Sequence, residues 1–325
     1  MIVSPTDAHL ARAAELLHAG ELVALPTETV YGLGADANNP VAAARIFAAK
    51  HRPADHPLIV HLADAGQLPA WASEIPPEAL ALARAFWPGP LTLILKKQAS
   101  VSDVVTGGQD TVGLRIPDHP VALALLRAFG GGIAAPSANR FGRISPTTAQ
   151  HVWEELGDSV AMILDGGACD VGIESTILDL SRGEPVILRP GMIGRAAIAA
   201  VIGQQPRLKG ERTDAPRVSG SLVAHYAPRT PMRMASAAEI LAAPAHCAVL
   251  QRAVEHLPGR YAMSIDAPFD ADGYARELYA NLRALDASGA QEILVETLPA
   301  DSCWDAVHDR LGRAVVGSGH TQDKT

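Results

Sequence analysis

Between residues 91 and 191 six short apolar runs follow one another: LTLILK (91–96), VGLRIP (112–117), GIAAPS (132–137), VAMILDGG (160–167), ESTILDL (174–180) and PVILRPG (185–191). Only two helical stretches interrupt them, near 119–129 and 146–156. A parallel crossover needs a connection of a dozen residues or more, usually a helix. Strands joined this directly must therefore include antiparallel pairs. The expected fold is a mixed sheet.

The upstream residues add helices to it. Thr6 or Asp7 caps a helix running through Leu17, with Gly20 just past its end. ELVAL (21–25) and LIVHL (58–62) read as strands. Asn39 before Pro40 is an N-cap followed by an N1 proline, and opens a helix through Lys50. PPEALALARAFW (76–87) is another helix with proline at its start. With 48% hydrophobic and 19% charged residues, a chain of 325 residues has enough apolar mass for two α/β domains.

From Gln205 the texture changes. Residues 206–233 carry Pro206, Pro216, Pro228 and Pro231, no apolar periodicity, and six Lys/Arg against two acidic residues. They read as a basic linker or lid in a chain of net charge −8. Beyond it HCAVLQ (246–251), GYARELYANLRALDASG (273–289), EILVETL (292–298) and WDAVHDRLGRAV (304–315) suggest a second, smaller α/β domain. Tyr274, Leu278, Leu282 and Leu285 would form its helix's apolar stripe. The expected division is 1–205, 206–233, 234–316 and a disordered tail at 317–325.

Several chemistries are excluded. Cys169, Cys247 and Cys303 have no paired spacing, which argues against a zinc ribbon or a disulfide framework and fits a reducing, cytoplasmic setting. The opening MIVSPTDAHLARAAELL has no secretory pattern, and no apolar run is long enough to span a bilayer. The acidic balance speaks against a broad nucleic-acid footprint, although the basic linker leaves room for weak RNA binding. No Walker A sequence, dinucleotide fingerprint or nucleophile elbow is present. His51, His56 and His61 are five apart with two prolines between, a spacing that gives no common face for a metal.

The remaining chemistry is cationic and hydroxylic. PTET, APSAN, ISPTT and IEST put Ser or Thr at strand ends or helix starts. Lys50 and Arg52 either balance a helix dipole or clamp a phosphate. Arg115 in GLRIP and Arg189 in ILRPG are arginines in apolar strands, and each needs an anionic partner. For Arg115 that partner is a ligand, or a buried Glu28 or Glu174. The set suits a polyanion held by many donors.

Taken in order, PTETVYGLG, KHRPADHPLIVH, WPGPLTLIL, VGLRIPDHP, APSANRFGRISPT, GIESTILDL and ILRPG resemble the YrdC-like threonylcarbamoyl-AMP synthases. HYAP (225–228) and the small C-terminal domain look like that family's longer, two-domain form. The resemblance implies a YrdC-like domain with a twisted mixed sheet and flanking helices, and a Rossmann-like C-terminal domain. It implies a nucleotidyltransferase that joins L-threonine, bicarbonate and ATP, with Mg2+ on the nucleotide, into threonylcarbamoyl-AMP and pyrophosphate. A separate transferase complex then passes the group to tRNA. By position, Thr29, His61, Arg115, Ala135 and Ser175 fall where relatives hold threonine. Lys50, Arg52, His56, Thr111, Ser137, Ser145, Arg189 and Tyr226 fall where they hold ATP. No catalytic base and no protein metal ligand is implied. Two departures stand out: His56 replaces an asparagine common among relatives, and Val218-Ser219-Gly220-Ser221 replaces Ser-Pro-Gly. The rival readings are a non-catalytic double-stranded RNA-binding protein of the same fold, and a carbamoyl-adenylate former of cofactor maturation, which would bring cysteine-rich fingers that this chain lacks.

Overall fold

Asn39 accepts hydrogen bonds from the backbone N–H groups of Val41 and Ala42, and the helix Pro40–Lys50 starts there. Thr6 caps the helix Asp7–His18 in the same way, through the N–H of His9. The computed structural model describes residues 1–211, 216–220, 222–254 and 259–319.

Twelve strands form one sheet: β1 (Ile2–Val3), β2 (Val23–Leu25), β3 (Gly32–Asp36), β4 (Ile59–His61), β5 (Ala72–Glu74), β6 (Leu91–Lys97), β7 (Thr111–Arg115), β8 (Ile133–Ala134), β9 (Met162–Leu164), β10 (Thr176–Asp179), β11 (Val186–Arg189) and β12 (Arg207–Leu208). Their order is β1-β9-β2-β3-β8-β4-β7-β6-β10-β11-β12, with β5 on β6. β4 runs parallel to β7, β7 antiparallel to β6, and β6 parallel to β10. The mixed sheet is as the strand spacing requires.

The apolar pattern does not announce β3, because Gly32 and Gly34 carry no side chains. The reason for glycine is close approach. A Cβ on Gly34 would lie 3.0 Å from Ile133 and Leu25, and one on Gly32 would lie 3.1 Å from the Cβ of Ala135. The main core gathers Leu33, Ile46, Val60, Leu93 and Leu114 with Leu178. A second cluster joins Leu17 and Val23 to Leu125 and Leu164.

The chain divides into two units: Met1–Phe141, Pro146–Asp170 and Glu174–Ser221 form the first, and Gly142–Ser145, Val171–Ile173 and the residues from Leu222 onward form the second. The stretch read as a linker is partly structured. Arg207 and Leu208 pair with β11, and Val218 is buried with Ile59, Ile94 and Ile177. Its residues 212–215 and 221 lie outside the described residues.

In the second unit β13 (Met232–Ala235), β14 (Cys247–Gln251), β15 (Met263–Asp266) and β16 (Glu292–Glu296) form a parallel sheet in the order β13-β16-β14-β15. The helix Ala271–Asp286 buries Tyr274, Leu278, Leu282 and Leu285, the stripe that its periodicity predicts. The helix Asp305–Gly317 reaches the first residue of the expected tail, and residues 320–325 lie outside the described ones. Among the described residues no helix is long and apolar enough to cross a membrane.

Candidate active site

Strand alternation assembles the site. Ile59, Ile94 and Ile177 share one apolar cluster, so residues two positions away point to the same face. Those residues are His61 on β4, Thr92 on β6 and Ser175 just before β10. β7 contributes Thr111, Gly113 and Arg115 in the same alternation. A narrow slot lies on this face, lined in part by Thr111, Gly113, Ile177 and Val218. Because β4 and β7 run opposite to β6 and β10, His61, Arg115, Thr92 and Ser175 all fall toward the same end of these strands.

Arg115 is buried and its guanidinium is held from three sides. Nε donates to Gly89 O (3.2 Å), Nη1 donates to Thr29 Oγ1 (2.9 Å), and Nη2 lies 2.5 Å from Glu28 Oε1. Of the two acidic partners considered for it, Glu28 is the one found. A guanidinium has five N–H donors, so this arrangement leaves capacity for a ligand carboxylate. The turn that carries Thr29 is folded by Thr27. Its Oγ1 accepts from the N–H groups of Thr29 and Val30 and donates to Val30 O at 2.7 Å. Its hydroxyl lies 2.8 Å from that of Thr29, a contact in which either oxygen can be the donor. Thr29 Oγ1 accepts from Arg115 and keeps one hydrogen-bonding position for a ligand. Tyr31 fixes the same segment to the end of β9, donating to Gly167 O (2.7 Å) and accepting from Gly166 N–H (3.1 Å).

His61 is buried and its Nδ1 has no hydrogen-bond partner. Burial, reinforced by the charge of Arg115, pushes its pKa down to about 3, so the ring is neutral. Ala135 lies across from Ile59, two residues before His61, its N–H donating to Ile59 O. Ser175 is buried against Arg189, whose Nη2 reaches both Ser175 O (2.8 Å) and Ser175 Oγ (3.1 Å). Arg189 Nη1 donates to Ser219 O, and Arg52 Nη2 donates to Ser219 Oγ and to Pro57 O. Lys50 donates its ammonium protons to the carbonyls of Ser137 and Asn139. Burial and the nearby Arg52 push its pKa well below the ordinary lysine value. His56 packs edge-on against Phe141, and burial lowers its pKa too. The three histidines thus stand on three different elements: His51 is the left-handed cap of a helix, His56 sits in a loop and His61 on β4.

Ser145 and Tyr226 belong to the second unit. Tyr226 is buried with a left-handed φ of 60°, its ring 5.7 Å from that of Tyr279 and 5.3 Å from the Arg310 guanidinium.

Comparison with known proteins places the chain in a family. Residues 15–191 match the family model described as "Telomere recombination", and residues 193–315 match "Threonylcarbamoyl-AMP synthase, C-terminal domain". The chain belongs to the threonylcarbamoyl-AMP synthase family. It is 41% identical over 322 residues to the threonylcarbamoyl-AMP synthase of Pyrococcus abyssi, covering 93% of this chain and 92% of that one. The Bacillus subtilis synthase is 40% identical, with 97% and 95% covered. The crystal structure of P. abyssi Sua5 complexed with L-threonine superposes with a TM-score of 0.89 at 37% identity, covering 98% of this chain and 100% of that one. Membership makes the chain a nucleotidyltransferase of the tRNA threonylcarbamoyl-adenosine modification, in the family's two-domain form.

Two members of this synthase's constellation escape a sequence reading. Thr92 is hidden inside LTLILK, where the signal is a hydroxyl at an inward position of an apolar strand. Ser219 lies in the stretch that departs from the family's usual pattern, and nothing local announces that it meets both Arg52 and Arg189.

Proposed function

We propose that the first unit binds L-threonine with Thr29, His61, Arg115, Ser175 and the backbone at Ala135. ATP is held by Lys50, Arg52, His56, Thr111, Ser137 and Arg189. Ser145 and Tyr226 are assigned to the nucleotide by the family pattern alone. The observation that carries this reading is the double contact of Arg189 with Ser175. It joins a residue assigned to phosphate and a residue assigned to the amino acid at one point, where the reacting groups have to meet.

The threonine amine and bicarbonate form a carbamate with loss of water, and a carbamate oxygen attacks the α-phosphorus of ATP while pyrophosphate departs. The protein's share is positioning and neutralisation of charge. Arg115 keeps N–H donors for the carboxylate, Thr29 offers its hydroxyl, and neutral His61 offers Nδ1. The donors of the nucleotide group are cationic and hydroxylic, which suits phosphate oxygens. Among the described residues no group of three acidic, His or Cys side chains gathers to hold a metal. Mg2+ would be held through the phosphates, where it neutralises charge. The product is labile in water and passes to a tRNA-modifying transferase complex in the cytoplasm.

Pyrophosphate release measured with threonine, bicarbonate and ATP, and with each omitted in turn, tests the reading. Release that persists without threonine or bicarbonate would overturn it.

A further inference from the structure

Thr92 is completely buried, and its Oγ1 lies 2.8 Å from Ser175 Oγ. Distance alone leaves the direction of that hydrogen bond open. The neighbours narrow it. A hydroxyl has one proton and two lone pairs. Arg189 Nη2, which can only donate, takes one lone pair of Ser175 Oγ at 3.1 Å. If Ser175 donated to Thr92, it would have no proton left for the pocket. A carboxylate or carbamate oxygen is an acceptor only, and would then meet a lone pair.

We propose that Thr92 is a positioning residue that donates to Ser175 Oγ, fills its second lone pair and so turns the Ser175 proton toward the substrate. This rests on the assignment of Ser175 to the threonine pocket. Thr92 suits the task for two reasons. Its strand is held on both sides, parallel to β10 and antiparallel to β7, so the hydroxyl stands at a fixed height beside Ser175. Burial also removes water, the other group that could orient Ser175. The pocket's two hydroxyls then differ in role. Thr29 is an acceptor toward the Arg115 guanidinium, while Thr92 supplies a proton to Ser175 and makes it a donor toward the ligand.

Thr92→Val keeps the shape of the side chain and removes the proton, and Thr92→Ser keeps the proton and removes the methyl. Calorimetry with L-threonine on the full chain should show Thr92→Val weakening binding about tenfold, the equivalent of ~1.4 kcal/mol. Thr92→Ser should stay within about threefold of wild type, and the KM for ATP should hold for both variants. Unchanged threonine affinity in Thr92→Val would overturn the proposal, as would a Thr92→Ser variant as weak as Thr92→Val, which would make the methyl the operative group. Ser175→Ala separates this from the underlying assignment. If it leaves threonine affinity unaltered, the pocket itself is misassigned. If it weakens binding and Thr92→Val does not, only the role of Thr92 falls.

Discussion

Arg115 Nη2 lies 2.5 Å from Glu28 Oε1, and the two side chains are only 5% and 6% exposed. The charge expected to meet the substrate is therefore already balanced in the protein. A buried pair of this kind is worth little against an apolar replacement, but removing one partner strands the other.

Arg115→Ala should accordingly lower stability by about 3–5 kcal/mol in urea unfolding and abolish threonine binding in calorimetry. Adding Glu28→Gln to that variant should recover much of the stability and none of the binding. Recovery of both would reduce Arg115 to a structural residue.

His61 gives a pH signature. Its pKa falls from 6.5 to about 3 on burial, so below pH 6.5 the unfolded chain binds a proton that the folded chain refuses. Stability should fall as pH drops from about 6.5 toward 3 and be insensitive to this residue above that range. His61→Asn should flatten this limb of a stability–pH curve. An identical acid limb in the variant would show that other groups account for it.

Arg52→Gln should weaken ATP binding by on the order of 2 kcal/mol, about 30-fold. Threonine binding without nucleotide should remain at the wild-type level. Unaltered ATP affinity would make Arg52 a structural residue, as in its bonds to Pro57 and Ser219.

Residues 206–233 are proposed as a lid that keeps water from a labile product. Because residues as far as Ser219 pack in the first unit, the informative truncation falls after Gly220. That fragment should bind threonine and turn over poorly, and Tyr226→Ala in the full chain should do the same. ATP should slow proteolysis between 206 and 233. Wild-type turnover by the fragment, or cleavage indifferent to ATP, would count against a lid.

Much of this molecule is legible in its sequence where one residue type has one physical use. Asn39-Pro40 starts a helix because of what asparagine and proline do to backbone donors, and Arg115 in an apolar strand demands an anion. The illegible parts depend on what lies opposite. β3 is built of glycines whose purpose is to admit Ala135 and Ile133. Thr92 looks like any strand threonine until Ser175 stands beside it. Ser219 becomes meaningful only when Arg52 and Arg189, far apart in the chain, converge on it.

The second unit reclaims two short pieces of the earlier chain, Gly142–Ser145 and Val171–Ile173. Ala227 N–H donates to Gly142 O, Arg283 donates to Ile144 O, and a Cβ on Gly172 would collide with the backbone of Arg276. Recombination between relatives is constrained accordingly. A hybrid gene that exchanges everything from Leu222 onward with a cousin also inherits two mismatched loops, encoded far upstream of the crossover. Such hybrids should tolerate exchange best when those seven residues travel with the second unit. The natural unit of inheritance in this protein is thus discontinuous, and a single crossover point cannot preserve it.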